Sequence, residues 1–310
     1  DLKVLIDGRP AEKSRLVEPD LVEDQTQSVW VNLPQRNVAI SLIAENRYAA
    51  SEPATVRLRW RKQQFVIKPK LYVLAIGVSD YDNNRLDLDY AAQDAQDFVN
   101  VLKKQHSLYR EIKVQLLTDA DKDTILDGLE WIERQVTQHD VAMVFFAGHG
   151  INTPDGRYYF VPSNFKAKRL KRTALPYYEI RDTVTALAGK VLFFIDTCHS
   201  GNIMGTQRGV ADIDQIANDL SSAENGIVVF AAATGKQSSQ ESSDWKNGAF
   251  TEALVEGLGG QADYTKDGAI TINELDLYLS ERVKALTSGS QTPTTTKPKT
   301  VPDFPIALKR

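Results

Sequence analysis

The sequence predicts an α/β fold, a mostly parallel sheet covered by helices on both faces, preceded by a small all-β module. Three observations carry this. Two unbroken apolar runs, Val141-Ala-Met-Val-Phe-Phe146 and Val191-Leu-Phe-Phe-Ile195, read as strands buried on both faces. From Leu71 onward, strand-like and helix-like segments alternate, the order that builds parallel crossovers. Before Lys68 the pattern is different: short strand-like runs separated by turn signals.

Residues 1–67 form the β-module. Its runs are Val29-Trp-Val-Asn-Leu33, Val38-Ala-Ile-Ser-Leu-Ile43 and Thr55-Val-Arg-Leu-Arg-Trp60. Asp7-Gly8, Pro34, Asn46-Arg47 and Ser51-Glu-Pro53 supply the turns. The last run alternates apolar and basic residues, as a half-exposed antiparallel strand would. A small immunoglobulin-like β-sandwich fits, with Lys68-Pro-Lys70 as the junction and an accessory or regulatory role.

Residues 68–310 form the second unit. Leu71 to Gly77 is its first buried strand. Tyr90 to Lys104 is a helix, because Ala91, Ala95, Phe98 and Leu102 recur at three- and four-residue steps. Ile112 to Leu117 is a strand and Lys122 to Val136 a helix. The run ending at His149 follows, then a hairpin around Asp155-Gly156 and a strand from Tyr158 to Pro162. Ile180 to Leu187 is the helix before the run that ends at Cys198. Gly226 to Ala233 is the fifth core strand, and Phe250 to Leu258 and Asn273 to Leu286 are helices. Phe304 to Leu308 reads as a sixth, edge strand, where Pro305 is tolerated. Ser288 to Thr300, rich in Ser, Thr, Pro and Lys, reads as an extended loop.

Composition bounds the function. Of 310 residues, 42% are hydrophobic and 25% charged, as in ordinary globular chains. A net charge of −4 gives no reason to expect nucleic acid or an anionic membrane as partner. No stretch approaches the ~20 apolar residues of a membrane span. The single cysteine excludes an internal disulfide and a thiolate zinc cluster, and a lone thiol suits a reducing cytoplasm. The chain starts at Asp1 without Met, so an upstream domain or regulatory partner is expected.

The chemistry lies at two strand ends. Cys198 follows one buried run and His149 the other, on the edge where open α/β sheets place their ligands. A thiol with a pKa of ~8.5 is mostly protonated at neutral pH, and a neighbouring imidazole can take its proton and later return it to a leaving amine. Gly150, without a Cβ, permits close approach of a substrate backbone.

The segments Phe145-Phe-Ala-Gly-His-Gly150 and Asp196-Thr-Cys-His-Ser-Gly201, with 49 residues from His149 to Cys198, closely resemble the caspase-like cysteine peptidases, whose His-to-Cys spacing is about 50. The closer branch is that of the metacaspases and orthocaspases. Tyr90-Ala-Ala-Gln-Asp-Ala95 and Asn247-Gly-Ala-Phe-Thr-Glu-Ala-Leu254 extend the resemblance, which spans about Leu71 to Leu308. It implies a caspase–hemoglobinase fold with a six-stranded sheet. It also implies a Cys198–His149 dyad and an oxyanion hole from the backbone N–H groups of Gly150 and Cys198.

Substrate choice follows from the same resemblance. Asp196 corresponds to the acid that binds a basic P1 side chain, and residues two apart on a strand face one side, toward the thiol. Asp94 matches the family's second P1 acid. Asp80 and Glu241 are weaker pocket candidates, and Ala147 stands where the family has a pocket serine. Paired carboxylates favour Arg or Lys and repel the Asp that animal caspases take. Arg208 is the candidate processing site in the loop after Cys198. Lys166-Ala-Lys-Arg-Leu-Lys-Arg172 is a basic cluster, to be cut, to dock an acidic partner, or simply to be solvated.

Asp263-Tyr-Thr-Lys-Asp-Gly-Ala-Ile-Thr-Ile-Asn-Glu274 fits an EF-hand calcium loop, with ligands at Asp263, Thr265, Asp267, Thr271 and Glu274 and Gly268 at position 6. Thr265 weakens it, and a turn with Thr271 and Glu274 as a helix capping box competes. Calcium-dependent relatives use acids elsewhere, and Asn164 stands where one of theirs is wanted. No cofactor is required on this reading. The expected activity is cleavage of proteins after Arg or Lys. A non-catalytic scaffold with this fold, and a peptidase taking Asp or Asn at P1, are the alternatives.

Overall fold

The computed structural model describes residues 2–11, 31–34, 36–60, 68–153, 155–199, 213–222, 225–233 and 240–309, with Cys198, His199 and residues 213–215 described by backbone only. Arg208 and the start of the run Val29 to Leu33 lie outside the described residues.

The first unit is a four-stranded antiparallel sheet, order β2-β1-β3-β4, from β1 (Leu2–Ile6), β2 (Arg9–Pro10), β3 (Val38–Ala44) and β4 (Ala54–Leu58). Asp7-Gly8, with positive φ at both residues, makes the tight turn between β1 and β2. The alternation read in the third run implied a half-buried strand, but β4 is exposed along its whole length.

The second unit begins with β5 (Lys70–Gly77), α1 (Ala91–Lys103), β6 (Glu111–Thr118) and α2 (Lys122–Gln135). Next come β7 (Val141–Asn152), β8 (Tyr158–Phe160), α3 (Leu170–Thr173), β9 (Leu175–Pro176), α4 (Tyr177–Ala186), β10 (Lys190–His199), α5 (Ile213–Leu220) and β11 (Ile227–Ala231). Then follow β12 (Glu241–Ser242), β13 (Asn247–Gly248), α6 (Ala249–Glu256), β14 (Ala269–Thr271), α7 (Ile272–Leu286), β15 (Thr294–Thr296) and β16 (Pro305–Leu308). The main sheet runs β15-β11-β10-β7-β5-β6, parallel except for β15, with β8 and β9 appended to β7.

The sixth strand of that path differs from the expected one. Phe304 to Leu308 was the expected edge, but β16 pairs with β14 in a separate ribbon, and Thr294–Thr296 closes the sheet against β11. Three consecutive β-branched residues suit an extended strand, and their Ser- and Pro-rich flanks masked them.

Two cores cover the sheet. Leu71, Val73 and Ala75 of β5 and Leu192 and Phe194 of β10 pack toward α1, α6 and α7. Tyr72, Leu74 and Ile76, with Val191, Phe193 and Ile195, pack toward α2, α4 and α5. Strict alternation of side chains along each strand produces this division. No helix among the described residues is long and apolar enough to cross a membrane.

One side chain ties the β-module to the main sheet. Arg9 is buried and donates to the carbonyls of Asn225 (2.5 Å), Thr185 (2.9 Å) and Leu187. These carbonyls belong to the end of α4 and the approach to β11, where a cation also meets the negative end of the helix dipole. Burial lowers the Arg9 pKa to about 10, which leaves it charged at neutral pH. Arg9→Ala orphans several buried acceptors at once and is expected to cost about 2–4 kcal/mol. A urea midpoint equal to that of the parent chain would sink this expectation.

Candidate active site

The parallel register of β7 and β10 sets Cys198 directly opposite His149, with Asp196 opposite Ala147. Neighbouring strands lie ~4.8 Å apart, so the two residues share one spot on the sheet's C-terminal edge. Each reaches it because a buried apolar run ends there, in Ala-Gly-His-Gly on one strand and Asp-Thr-Cys-His on the other.

His149 is buried. Its Nε2 donates to the Leu86 carbonyl at 2.7 Å, and its ring lies over Tyr81, with centroids 5.3 Å apart. The Tyr81 hydroxyl accepts the His149 backbone N–H at 3.3 Å. A carbonyl only accepts, so Nε2 carries a proton and Nδ1 is the basic nitrogen. Burial lowers the His149 pKa, and the bond to Leu86 partly offsets this, so the ring is neutral at pH 7. Neither Leu86 nor Tyr81 was legible as a partner: a backbone acceptor exists at every residue and leaves no mark in the sequence.

Gly148, at φ 145°, lies where the strand changes face. Ala147 packs on the α1 side and Ile151 on the α2 side. At Gly150 a Cβ would lie 2.6 Å from the Tyr158 hydroxyl oxygen and 2.7 Å from its ring. The space on the Cβ side of Gly150 is therefore filled by Tyr158. That hydroxyl also donates to Thr197 Oγ1 at 3.3 Å, linking the His149 hairpin to the residue before Cys198.

Asp196 continues the Leu192–Phe194 row and is buried against α1 and α6. Thr251 donates to its Oδ2 at 2.9 Å, and the backbone N–H of Gly248 donates to Asp94 Oδ1 at 3.0 Å. A Cβ on Gly248 would sit 3.0 Å from Asp196 and 3.2 Å from Asp94, so the two carboxylates flank one small space that only glycine leaves open. Burial raises the Asp94 pKa well above the ordinary range, and the Asp196 charge raises it further. Glu241 pairs with Gly248 on the short β12–β13 ribbon, and its carboxyl accepts the Asp89 N–H at 3.3 Å. Its pKa is raised by burial and, less strongly, by Asp196.

The structure thus brings Asp94, Asp196 and Glu241 together. It leaves Asp80 out: that residue is exposed, and its backbone N–H donates to Asp119. The sequence alone marks neither Thr251 nor Gly248 as a pocket residue. Both fall within the Asn247–Leu254 segment, which marked the place but not the roles.

The EF-hand-like loop uses its acids mostly internally, with Asp263 also 3.7 Å from the Lys309 ammonium. Glu274 accepts from the Thr265 N–H and hydroxyl and from the Thr271 N–H, while Thr271 caps the Glu274 N–H, forming a capping box. Asp263 accepts the Asp267 N–H at 3.1 Å, and Asp267 accepts the Ala269 N–H at 2.8 Å. Among the described residues no group of three or more His, Cys, Asp or Glu gathers to hold a metal.

The arrangement offers a thiol-bearing residue, a neutral imidazole beside it and a buried acidic pocket on the same strand end. Comparison with known proteins agrees with that class of chemistry. The caspase domain model matches residues 70–304. A protein from Geobacter sulfurreducens, GSU0716, aligns over 78% of this chain and all of its own, at 18% identity and a TM-score of 0.55. The Drosophila initiator caspase Dronc aligns over 80% of this chain and 88% of its own, at 11% identity and a TM-score of 0.51. At these identities both show the fold alone. No curated protein sequence matches the chain.

Proposed function

We propose, from the premise that this chain belongs to the caspase domain family, that it is a cysteine endopeptidase cleaving polypeptides after Arg or Lys. The observation that carries the reading is the register pair Cys198–His149, with the buried acids Asp196 and Asp94 beside it.

The chemistry balances with these groups alone. Nδ1 of His149 takes the Cys198 thiol proton as the sulfur bonds to the scissile carbonyl carbon. The oxyanion is held by the backbone N–H groups of Gly150 and Cys198, each such donor typically worth ~2.7–4 kcal/mol. The C–N bond then breaks, and His149 gives its proton to the leaving amine. Water, deprotonated by His149, hydrolyses the thioester and returns the thiol. The Leu86 carbonyl acts by holding the ring: with Nε2–H fixed on it, the tautomer that accepts at Nδ1 is the one present. Asp196 and Asp94 select the P1 cation, and Glu241 adds charge at the rim.

The test is hydrolysis of fluorogenic peptides ending in Arg, Lys, Asp or Asn, with and without calcium, beside Cys198→Ala. Cleavage after Arg and Lys is expected, with the variant falling at least ~10⁴-fold to background. Cleavage after Asp or Asn would overturn the specificity. A folded chain that cleaves none of the four would favour the scaffold alternative.

A further inference from the structure

We infer that the exposed cluster Lys168, Arg169, Lys171 and Arg172 is a docking groove for an acidic stretch of the substrate polypeptide, on the other side of the scissile bond from the P1 pocket. The inference rests on the peptidase reading in one respect, that the occupant is substrate.

Residues 166–172 carry five cations in a chain of net charge −4. All five are exposed. Among the described residues only Lys166 has a carboxylate ion pair, with Asp82 at 3.7 Å. The backbone beneath them is held in place. Leu170 packs into the core on the α2 side, and the Thr173 hydroxyl accepts the Lys166 N–H at 2.9 Å. Lys122 adds a further cation, donating to the Lys171 carbonyl at 3.4 Å.

The cluster shares a groove with the residue that follows the His149 strand. Residues 167–172 and Thr153 line one open groove of about 520 Å³. Thr153 lies four residues beyond His149, ~13 Å along an extended chain, or about four substrate residues. The acidic pocket opens on the α1–α6 face of the sheet, whereas Leu170 and its neighbours pack on the opposite face. Acid pocket and basic groove therefore lie on opposite faces of the sheet. A substrate with a cation at P1 and carboxylates several residues beyond the cleavage point matches both in sign. Two acids of the adjoining loops are already paired, Asp155 with Arg157 and Asp82 with Lys166.

Binding is measured on the Cys198→Ala chain by fluorescence anisotropy, with two labelled peptides sharing one Arg-centred core. One carries Asp and Glu after the Arg, the other Asn and Gln. The acidic peptide is expected to bind about ten-fold more tightly at about 50 mM salt, with the advantage shrinking at about 300 mM. The variant Lys168→Gln, Arg169→Gln, Lys171→Gln, Arg172→Gln, checked for an unchanged melting midpoint, is expected to bind the two alike. Equal binding by the parent chain, or a preference that survives in the variant, overturns the groove. Tighter binding of a uridine oligonucleotide of equal charge overturns it in favour of nucleic acid. Cleavage by the wild-type chain separates the two readings. Arg cleavage without preference for the acidic peptide removes only the groove. Acidic-peptide binding by a chain that cleaves nothing removes the peptidase and the substrate as occupant, and leaves the groove as an acidic-peptide site.

Discussion

Asp94→Asn is expected to lower kcat/KM for Arg-ending peptides about 100-fold while making the fold more stable at neutral pH. The two effects share one cause. Asp94 is buried beside Asp196, and its pKa is pushed well up, by burial first and by that neighbouring charge second. In the unfolded chain it titrates near 3.8. Below that value both states hold the proton and no penalty exists. As pH rises through the window up to the folded value, the folded state must give up a proton it holds more tightly, and stability is lost. Above the window the penalty is complete. Asparagine removes the charge yet keeps an oxygen for the Gly248 N–H, so the variant escapes the penalty.

On the proposed reading, a P1 guanidinium offsets that penalty in the parent chain, and losing one charged partner of a desolvated pair typically costs 2–5 kcal/mol. Urea midpoints at pH 7 and pH 4, with kcat/KM on an Arg peptide, check both limbs. The stability gain should be present at pH 7 and shrink at pH 4, and Arg turnover in the parent should weaken as acid protonates Asp94. An Asn variant that is less stable at pH 7, or that cleaves the Arg peptide as well as the parent, would falsify this account of the pocket.

Gly150→Ala is expected to reduce turnover by about 100-fold or more and to destabilise the chain by about 1–3 kcal/mol. The added Cβ would press on the Tyr158 hydroxyl and ring at 2.6–2.9 Å, closer than such atoms pack, so one strand must give way. The residue that moves is next to His149 and carries a proposed oxyanion donor, and a displacement of ~1 Å there is enough for a 10²-fold loss. The control is a second substitution. Tyr158→Leu opens space, so the double variant should recover much of the melting temperature that Gly150→Ala loses. If the two losses simply add, the contact is not the cause.

The family and the strands were legible because each rests on local pattern. Two apolar runs ending in Ala-Gly-His-Gly and Asp-Thr-Cys-His announce buried strands with chemistry at their ends. The α1 helix follows from Ala91, Ala95, Phe98 and Leu102 at helical spacing, and all four are buried as that spacing requires. Where local pattern is equivocal, sequence and structure part. A threonine run between Ser- and Pro-rich flanks passed for a loop, and Pro305-Ile-Ala-Leu308, a strand by pattern, pairs with a different neighbour than supposed.

Sequence by itself determined which residues are available: one thiol, an imidazole between glycines, and acids at positions 94 and 196. Tertiary structure alone decided how they meet. It set Cys198 against His149 in register, chose Leu86 to hold the ring, closed Thr251 and Gly248 around the acids, admitted Glu241 and left Asp80 in solvent. It also filled the Gly150 gap with Tyr158 and buried Arg9 among carbonyls of α4 and Asn225. The physical reason is common to all of these. Strand and helix formation follows side-chain periodicity within a short window, whereas pairing, backbone acceptors and shared space are settled between residues tens to hundreds of positions apart, and no local pattern records them.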